Sequence, residues 1–415
     1  MPEIDRALKG PRNDFGSRPL ATIVASAIVI NLLTAMLITL APYVGNALEP
    51  DTPTYISHTS HGTIFIDGNA QFNHTDFPDN GVSSGNGTAS NPYIIEGWNI
   101  SALSEDGIRI WNTDAHFEIR DCEIHDTLID YTAIFLSNCT NGSLSGNKCW
   151  NSVYGIYLDS SNNNTLINNN CSSNSNYGMW LYKSSNNTIV GNDCSNNAYY
   201  GISIDTSNND TLSSNTCNYN DDAGIQLSSS KNNRLLGNEA SNNLHGIYIG
   251  QTSGTIVTNN TCSNNSQYGM YINSGPRNVI FHNTVSNNVQ FAIYISNVAS
   301  SNNRVWNNTF YHNRGSGDTY DDMKIQASDS GTNNYWNSSS EYGNYWSDQT
   351  GPDTLPPSGI VDFSYNLTGT SSAKDLYPLT DIPFPPFIPE FSEIIIPILG
   401  LMLISLAFNR TKRRF

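Results

Sequence analysis

The chain has 415 residues, of which 13% are charged, about half the share of roughly 25% found in ordinary globular domains. Its 58 Asn outnumber the 19 + 36 = 55 Lys, Arg, Asp and Glu together, and the formal net charge is −17. With 22 Tyr, 15 Phe and 7 Trp it can bury a core, which excludes a disordered polar tract; the lack of a basic stripe excludes a nucleic-acid partner.

Residues 1–19 carry Arg6, Lys9, Arg12 and Arg18, and residues 20–44 carry no charge. As a helix that uncharged run is about 37 Å long, enough to cross a ~30 Å hydrocarbon layer. It predicts a signal anchor behind a cytoplasmic 1–19 segment, with a cleaved signal ending near Ala47 as the alternative. Residues 45–100 read as an N-terminal cap.

From 101 to 313 the chain repeats every 22–23 residues in about nine units. The markers are Gly155-Ile156, Gly178-Met179, Gly201-Ile202, Gly224-Ile225, Gly246-Ile247 and Gly269-Met270, extended outward by Gly107-Ile108, Ala133-Ile134 and Ala292-Ile293. Two residues on comes another apolar position, as in Leu158, Leu181 and Ile204, a period of two that predicts a strand. Further on come a second apolar column (Leu166, Ile189, Leu212) and a third made of Cys122, Cys149, Cys171, Cys194, Cys217, Ala240 and Cys262. A unit this short without a helix cannot close a core alone, but stacked units bury a continuous one. The expected fold is therefore all-β, a parallel β-helix. An Asn column from Asn147 through Asn169, Asn192 and Asn215 to Asn308 predicts a structural amide ladder at corners of the left-handed conformation. The six column cysteines read as buried thiols, and Cys139, off the column, as exposed in a turn.

Residues 314–380 read as a C-terminal cap and 381–393, with Pro383, Pro385, Pro386 and Pro389, as a semi-rigid spacer. Residues 394–408 predict a short apolar transmembrane or sorting helix, followed by a basic tail at 409–415. The positive-inside rule places both basic ends in the cytoplasm and the body outside, a membrane-anchored cell-surface topology. There are 15 Asn-x-Ser/Thr sequons, close to the ~12 that composition alone gives, so they show no more than that an exported chain can be a glycoprotein.

Over about residues 60–380 the chain resembles the NosD-like right-handed parallel β-helix proteins. The repeats carry this resemblance, together with the run from Gly87 to Trp98 and the closing segments Gly343-Asn344-Tyr345-Trp346-Ser347-Asp348 and Tyr377-Pro378-Leu379. Pro389-Glu390-Phe391 before the apolar helix resembles the PEF-type sorting signals of archaeal surface proteins, which implies processing by an archaeosortase. Copper delivery is associated with the family name, yet only His58 and His61 are close in sequence, and they read as surface residues; no metal site is expected. The run from Asp353 to Asp362 lacks the intermediate acids of a calcium loop, and calcium prefers six to eight oxygen ligands.

The exterior acids fall into two pairs, Asp159 with Asp205 and Asp193 with Glu239, each two rungs apart or about 9.6 Å. That approaches the ~6.5–9.5 Å of inverting glycosidases, and makes them the candidate catalytic carboxylates. Between the inward positions of the first strand, Tyr248, Tyr271 and Tyr294 occupy one outward row after an earlier pair, Tyr157 and Trp180, with Ser203 and Gln226 between, all expected to face solvent. These aromatics are the candidate ligand-binding residues, for stacking against pyranose faces. The leading reading is a surface β-helix that binds a cell-envelope polysaccharide or serves as an adhesive or structural element. The alternatives are an extracellular polysaccharide lyase or hydrolase, and an accessory protein for metal-cluster delivery.

Overall fold

The computed structural model describes residues 58–127, 130–349, 351–353 and 359–383. The expected signal anchor, most of the Pro-rich spacer, the C-terminal helix and residues 354–358 lie outside these. Among the described residues no helix is long and apolar enough to cross a membrane.

The repeat builds a parallel β-solenoid. Its first strands, among them Thr132–Cys139, Tyr154–Asp159, Met179–Tyr182, Ile202–Asp205, Ala223–Ser228, His245–Gly250 and Tyr268–Asn273, pair in parallel within an 11-stranded sheet. Parallel pairing reaches past the 101–313 region: Ile64–Asp67 joins ahead of Ile108–Thr113, and Ala327–Asp329 joins after Ile293–Ile295. A second 11-stranded sheet carries the second apolar column. A third face consists of two four-stranded sheets, joined by single bridges from Lys148 through Asn170, Asp193, Thr216 and Glu239 to Thr261.

All three predicted columns point inward. Ile156, Leu158, Leu166, Cys171, Met179, Leu181, Ile189 and Cys194 are each 0% exposed, and the pattern continues to Phe310. Burying each such aliphatic side chain stabilises the fold by roughly 1.5–3 kcal/mol before entropy is counted. The marker glycines have a steric cause: a Cβ on Gly201 would stand 2.5 Å from the carbonyl oxygen of Gly224 and 2.8 Å from that of Cys194. The coils approach too closely there for any side chain.

Cys139 corrects an expectation. It is fully buried at the end of its strand; its N–H donates to Ser161 Oγ at 3.0 Å, and the Ser161 and Ser184 N–H groups donate likewise to Ser184 and Ser207 Oγ. It follows Thr113, its register partner, in a column of small, mostly polar residues that apolar periodicity does not mark. All seven cysteines are free and buried.

The Asn column forms the expected ladder. Each Nδ2 donates to the next Oδ1, at 3.0 Å from Asn147 to Asn169 and from Asn169 to Asn192, then 2.9 Å from Asn192 to Asn215. These asparagines are not themselves left-handed. The residue before each is, as in Asn168 (φ 52°), Ser214 (φ 55°) and Asn259 (φ 57°), with Gly at 146, 191 and 237. That residue turns the corner and the next amide enters the core.

A second ladder runs through Asn174, Asn197, Asn220 and Asn243, and then Asn265, Asn288 and Asn313. A third runs through Asn164, Asn187, Asp210 and Asn233, and resumes through Asn278, Asn303 and Asn334. All three end on carboxylates in the C-terminal cap. Asn344 Nδ2 reaches Asp375 at 3.1 Å, Gln326 Nε2 carries the second ladder to Asp348 at 2.6 Å, and Asn334 Nδ2 reaches Asp329 at 2.9 Å.

Candidate functional site: an aromatic sheet face

The first sheet is aromatic on its outer side. Its outward row runs in register through Phe135, Tyr157, Trp180, Ser203, Gln226, Tyr248, Tyr271 and Tyr294. The five aromatics expected from the sequence fall in this row and are half-buried. A second row, not anticipated, comes from the residue before the marker glycine or alanine: Tyr154, Tyr177, Tyr200, Tyr268 and Phe291. Its signal was present in the sequence as an aromatic one step ahead of Gly155, Gly178, Gly201, Gly269 and Ala292, interrupted by Ala223 and His245.

Ring geometry sets what this face offers. Tyr157 lies between Phe135 (centroids 4.9 Å apart, 12° between planes) and Trp180 (4.4 Å, 8°). Near-parallel rings this close must lie face to face, so the middle of the stack presents ring edges and a hydroxyl instead of the flat faces expected from the sequence. Tyr271 is packed less regularly: Tyr248 stands 5.1 Å away at 57° and Tyr294 5.4 Å away at 23°, with His245 and Tyr268 at 5.4 and 5.3 Å and 64° and 60°. Burial pushes the Tyr157 and Tyr200 hydroxyls up and Tyr177 to about 12, so they remain protonated donors.

Between the two aromatic groups lies a polar break. Ser203 was expected to face solvent, yet it is 2% exposed: a small residue in register between Trp180 and Gln226 is covered by its tall neighbours. Its Oγ donates to Gln226 Oε1 at 2.6 Å. His245 is 8% exposed and stacks on Tyr268 at 5.1 Å and 4°. Its Nδ1 has no hydrogen-bond partner, and burial pushes its pKa down to about 4, so the ring is neutral at ordinary pH.

The candidate carboxylates keep the expected spacing of two rungs within each pair, and the two pairs lie on different faces. Asp159 and Asp205 stand on the first sheet with Tyr182 between them, accepting from Ser160 Oγ at 3.0 Å and Thr206 Oγ1 at 2.9 Å. Asp193 and Glu239 lie on the third face with Thr216 between them.

The family model described as "Periplasmic copper-binding protein (NosD)" matches residues 73–256 and 196–351, more than half of the chain. The chain belongs to this family. No curated protein matches it. Similar solved structures include the A-module of the Azotobacter vinelandii mannuronan C-5 epimerase AlgE6 (12% identity, 58% of this chain and 83% of that one, TM-score 0.45). Others are the periplasmic alginate epimerase AlgG (16%, 65% and 82%, 0.43) and the enzymatically active domain of bacteriophage CBA120 tailspike protein 2 (12%, 57% and 40%, 0.41). Likenesses this distant decide neither substrate nor activity here.

The family description implies copper, and the residues present do not fit it. Among the described residues no group of three or more His, Cys, Asp or Glu is placed to hold a metal ion. Copper takes thiolate or imidazole ligands, but burial pushes the Cys171, Cys194 and Cys217 thiols well up and seals them in the core. His125 has both ring nitrogens within hydrogen-bond reach of acceptors, Asp126 and Asn99.

Proposed function

We propose that the chain is a non-catalytic, membrane-anchored cell-surface protein whose body is extracellular and whose aromatic sheet face binds a polysaccharide of the cell envelope. The observation that carries this reading is a contrast within one molecule. The second sheet turns out a mixture, Thr165, Thr188 and Thr211 beside Ile167 and Val190 with one stacked pair, Phe281 and Trp306, and the third face turns out Asn170, Asp193 and Thr216, whereas the first sheet turns out two rows made mostly of aromatic rings. Solvated strands are satisfied by the Thr and Asn pattern; rings, with an apolar body and a hydroxyl donor, suit a surface that is apolar on C–H faces and polar on hydroxyls. The basic ends and uncharged runs at residues 20–44 and 394–408 support anchoring.

Electrophoresis of the full-length protein through gels containing dissolved polysaccharides tests the reading. Retardation by at least one polymer, without shortened products, is expected. Free migration through all of them, or release of shortened chains, overturns it.

A further inference from the structure

In the outward row Tyr248 follows the polar break and pairs in register with Gln226. Its ring lies differently from the stacked ones. The Oη, Cε1 and Cζ atoms of Tyr248 stand 2.8, 2.9 and 3.0 Å from the place a Cβ would take on Gly250, so the ring lies down along its own strand, over the glycine. The register partners of Gly250 are Ser228 and Asn273; the backbone there accepts a side chain, and it is the ring that requires glycine. A ring laid on the sheet keeps one face outward.

Beside it, Gln226 Oε1 is held by Ser203 Oγ, which fixes the amide plane. Gln226 is 8% exposed, covered more than alternation alone suggested, and among the described residues its Nε2 makes no hydrogen bond. A flat ring with a fixed amide donor one rung away, about 4.8 Å, matches the apolar face and the ring or hydroxyl oxygens of a single pyranose.

Charge narrows the ligand. From Thr132–Cys139 to Ala327–Asp329 the strands of this sheet contain no Lys or Arg, and their acids are Asp159, Asp205 and Asp329. The strand-end cation Lys183 lies over Tyr182, its Nζ 4.7 Å from the ring centre, three rungs or about 14 Å from Tyr248. Arg314 lies over Phe291, its Cζ 4.9 Å from the ring centre, and Arg109, ion-paired with Asp106, precedes Phe135 in the outward row, so the face carries cations towards both ends. The strands one rung to either side of Tyr248 carry none, and an acidic unit seated there would meet the Asp205 carboxylate two rungs away.

We infer that an uncharged pyranose unit of the polysaccharide sits on the Tyr248 ring above Gly250 while Gln226 Nε2 donates to one of its oxygens. This rests on the glycan-binding reading above.

The test uses the full-length protein and affinity gels of hydroxyethyl cellulose, xyloglucan, galactomannan and dextran, with polygalacturonate and chitosan as the charged arms. Retardation by a neutral polymer is expected, weakened about tenfold by Tyr248→Ser, which is about 1.4 kcal/mol, and retained by Tyr248→Phe. Gly250→Ser, at a position whose neighbours carry side chains, is expected to keep the native β signal by circular dichroism and still weaken binding several-fold. Retardation by a charged polymer alone overturns this inference and leaves the glycan-binding reading standing. Neutral binding that survives both Tyr248→Ser and Gly250→Ser overturns the subsite. Free migration in every gel overturns both.

Discussion

The side-chain amide of Asn344 donates to Asp375 Oδ2 at 3.1 Å, and the Asn344 backbone N–H donates to the same oxygen at 2.7 Å. An amide ladder has a direction: every member accepts on one side and donates on the other, so the last one offers a donor that nothing in the repeat can take. A carboxylate is acceptor-only, and it lies at the positive end of the aligned amide dipoles. Asp375 also accepts from Trp346 Nε1 at 3.0 Å and from the Tyr377 N–H at 3.1 Å.

Asp375→Ala therefore strands the buried Asn344 N–H and Trp346 Nε1 and deprives the half-buried Tyr377 N–H of its acceptor, while Asn344 Nδ2 keeps Val305 O and Trp336 O. A loss of about 3 kcal/mol or more is expected, from a typical cost of ~1–3 kcal/mol per unsatisfied buried group. Urea unfolding measures it, and an unchanged midpoint would contradict the terminating role. Asp375→Asn keeps one acceptor oxygen and should lie between the two.

Asp210 stands in an asparagine column, 0% exposed, with Oδ1 accepting from the Asn187 N–H at 2.7 Å and Oδ2 without a partner. Burial pushes its pKa from 3.8 up to about 7. Between those values the folded chain holds a proton the unfolded chain has lost, so this group's contribution is full below about pH 4 and falls as pH rises through 7. Asp210→Asn supplies an amide like its column neighbour Asn233, whose Nδ2 donates to Ser207 O at 3.1 Å. The variant should exceed the wild type in stability at pH 8 by a few kcal/mol and lose that advantage at pH 4. Paired denaturant midpoints read the difference, and a constant offset would refute a titrating Asp210.

Gly201→Ala places a methyl 2.5 Å from a backbone oxygen of the next coil, where no flexible group can yield. Spreading two coils there should lower stability by more than ~2 kcal/mol, as overpacking in a tight core does. Calorimetry of the variant gives the measurement; full native stability would show that the coils are not in such close contact.

Every cysteine is buried, and burial pushes the Cys122 and Cys139 thiols up to about 11. Since the thiolate is the reactive species, an aromatic disulfide reagent at pH 8 should label none rapidly in the folded protein and all seven in denaturant. Rapid native labelling of Cys139 would restore the exposed turn that the sequence suggested.

The solenoid was legible because its columns repeat at a fixed interval: Ile202 names its neighbours Met179 and Ile225 by counting alone. Periodicity fails where chain is inserted, so Ile64–Asp67 and Ala327–Asp329, separated from the next first strands by longer connections, escaped notice. Ladder termination was invisible for the same reason, since Asn344 and Asp375 meet across a cap that has no repeat. Exposure was misjudged at Ser203 because alternation gives a side chain's direction and not the height of its neighbours. The aromatic rows were readable as positions; that Tyr157 is sandwiched and Tyr248 reclines on Gly250 depends on torsions that no pattern records.

The three carboxylate endings also bear on how long this rod becomes. A parallel coil with unmet donors is a template for another strand, and every coil here resembles the next closely enough to accept a neighbour from a second molecule. Asp329, Asp348 and Asp375 remove the chemical demand for one more rung. A chain ending before residue 344 would leave that demand open, and head-to-tail filaments visible by electron microscopy are the expected consequence.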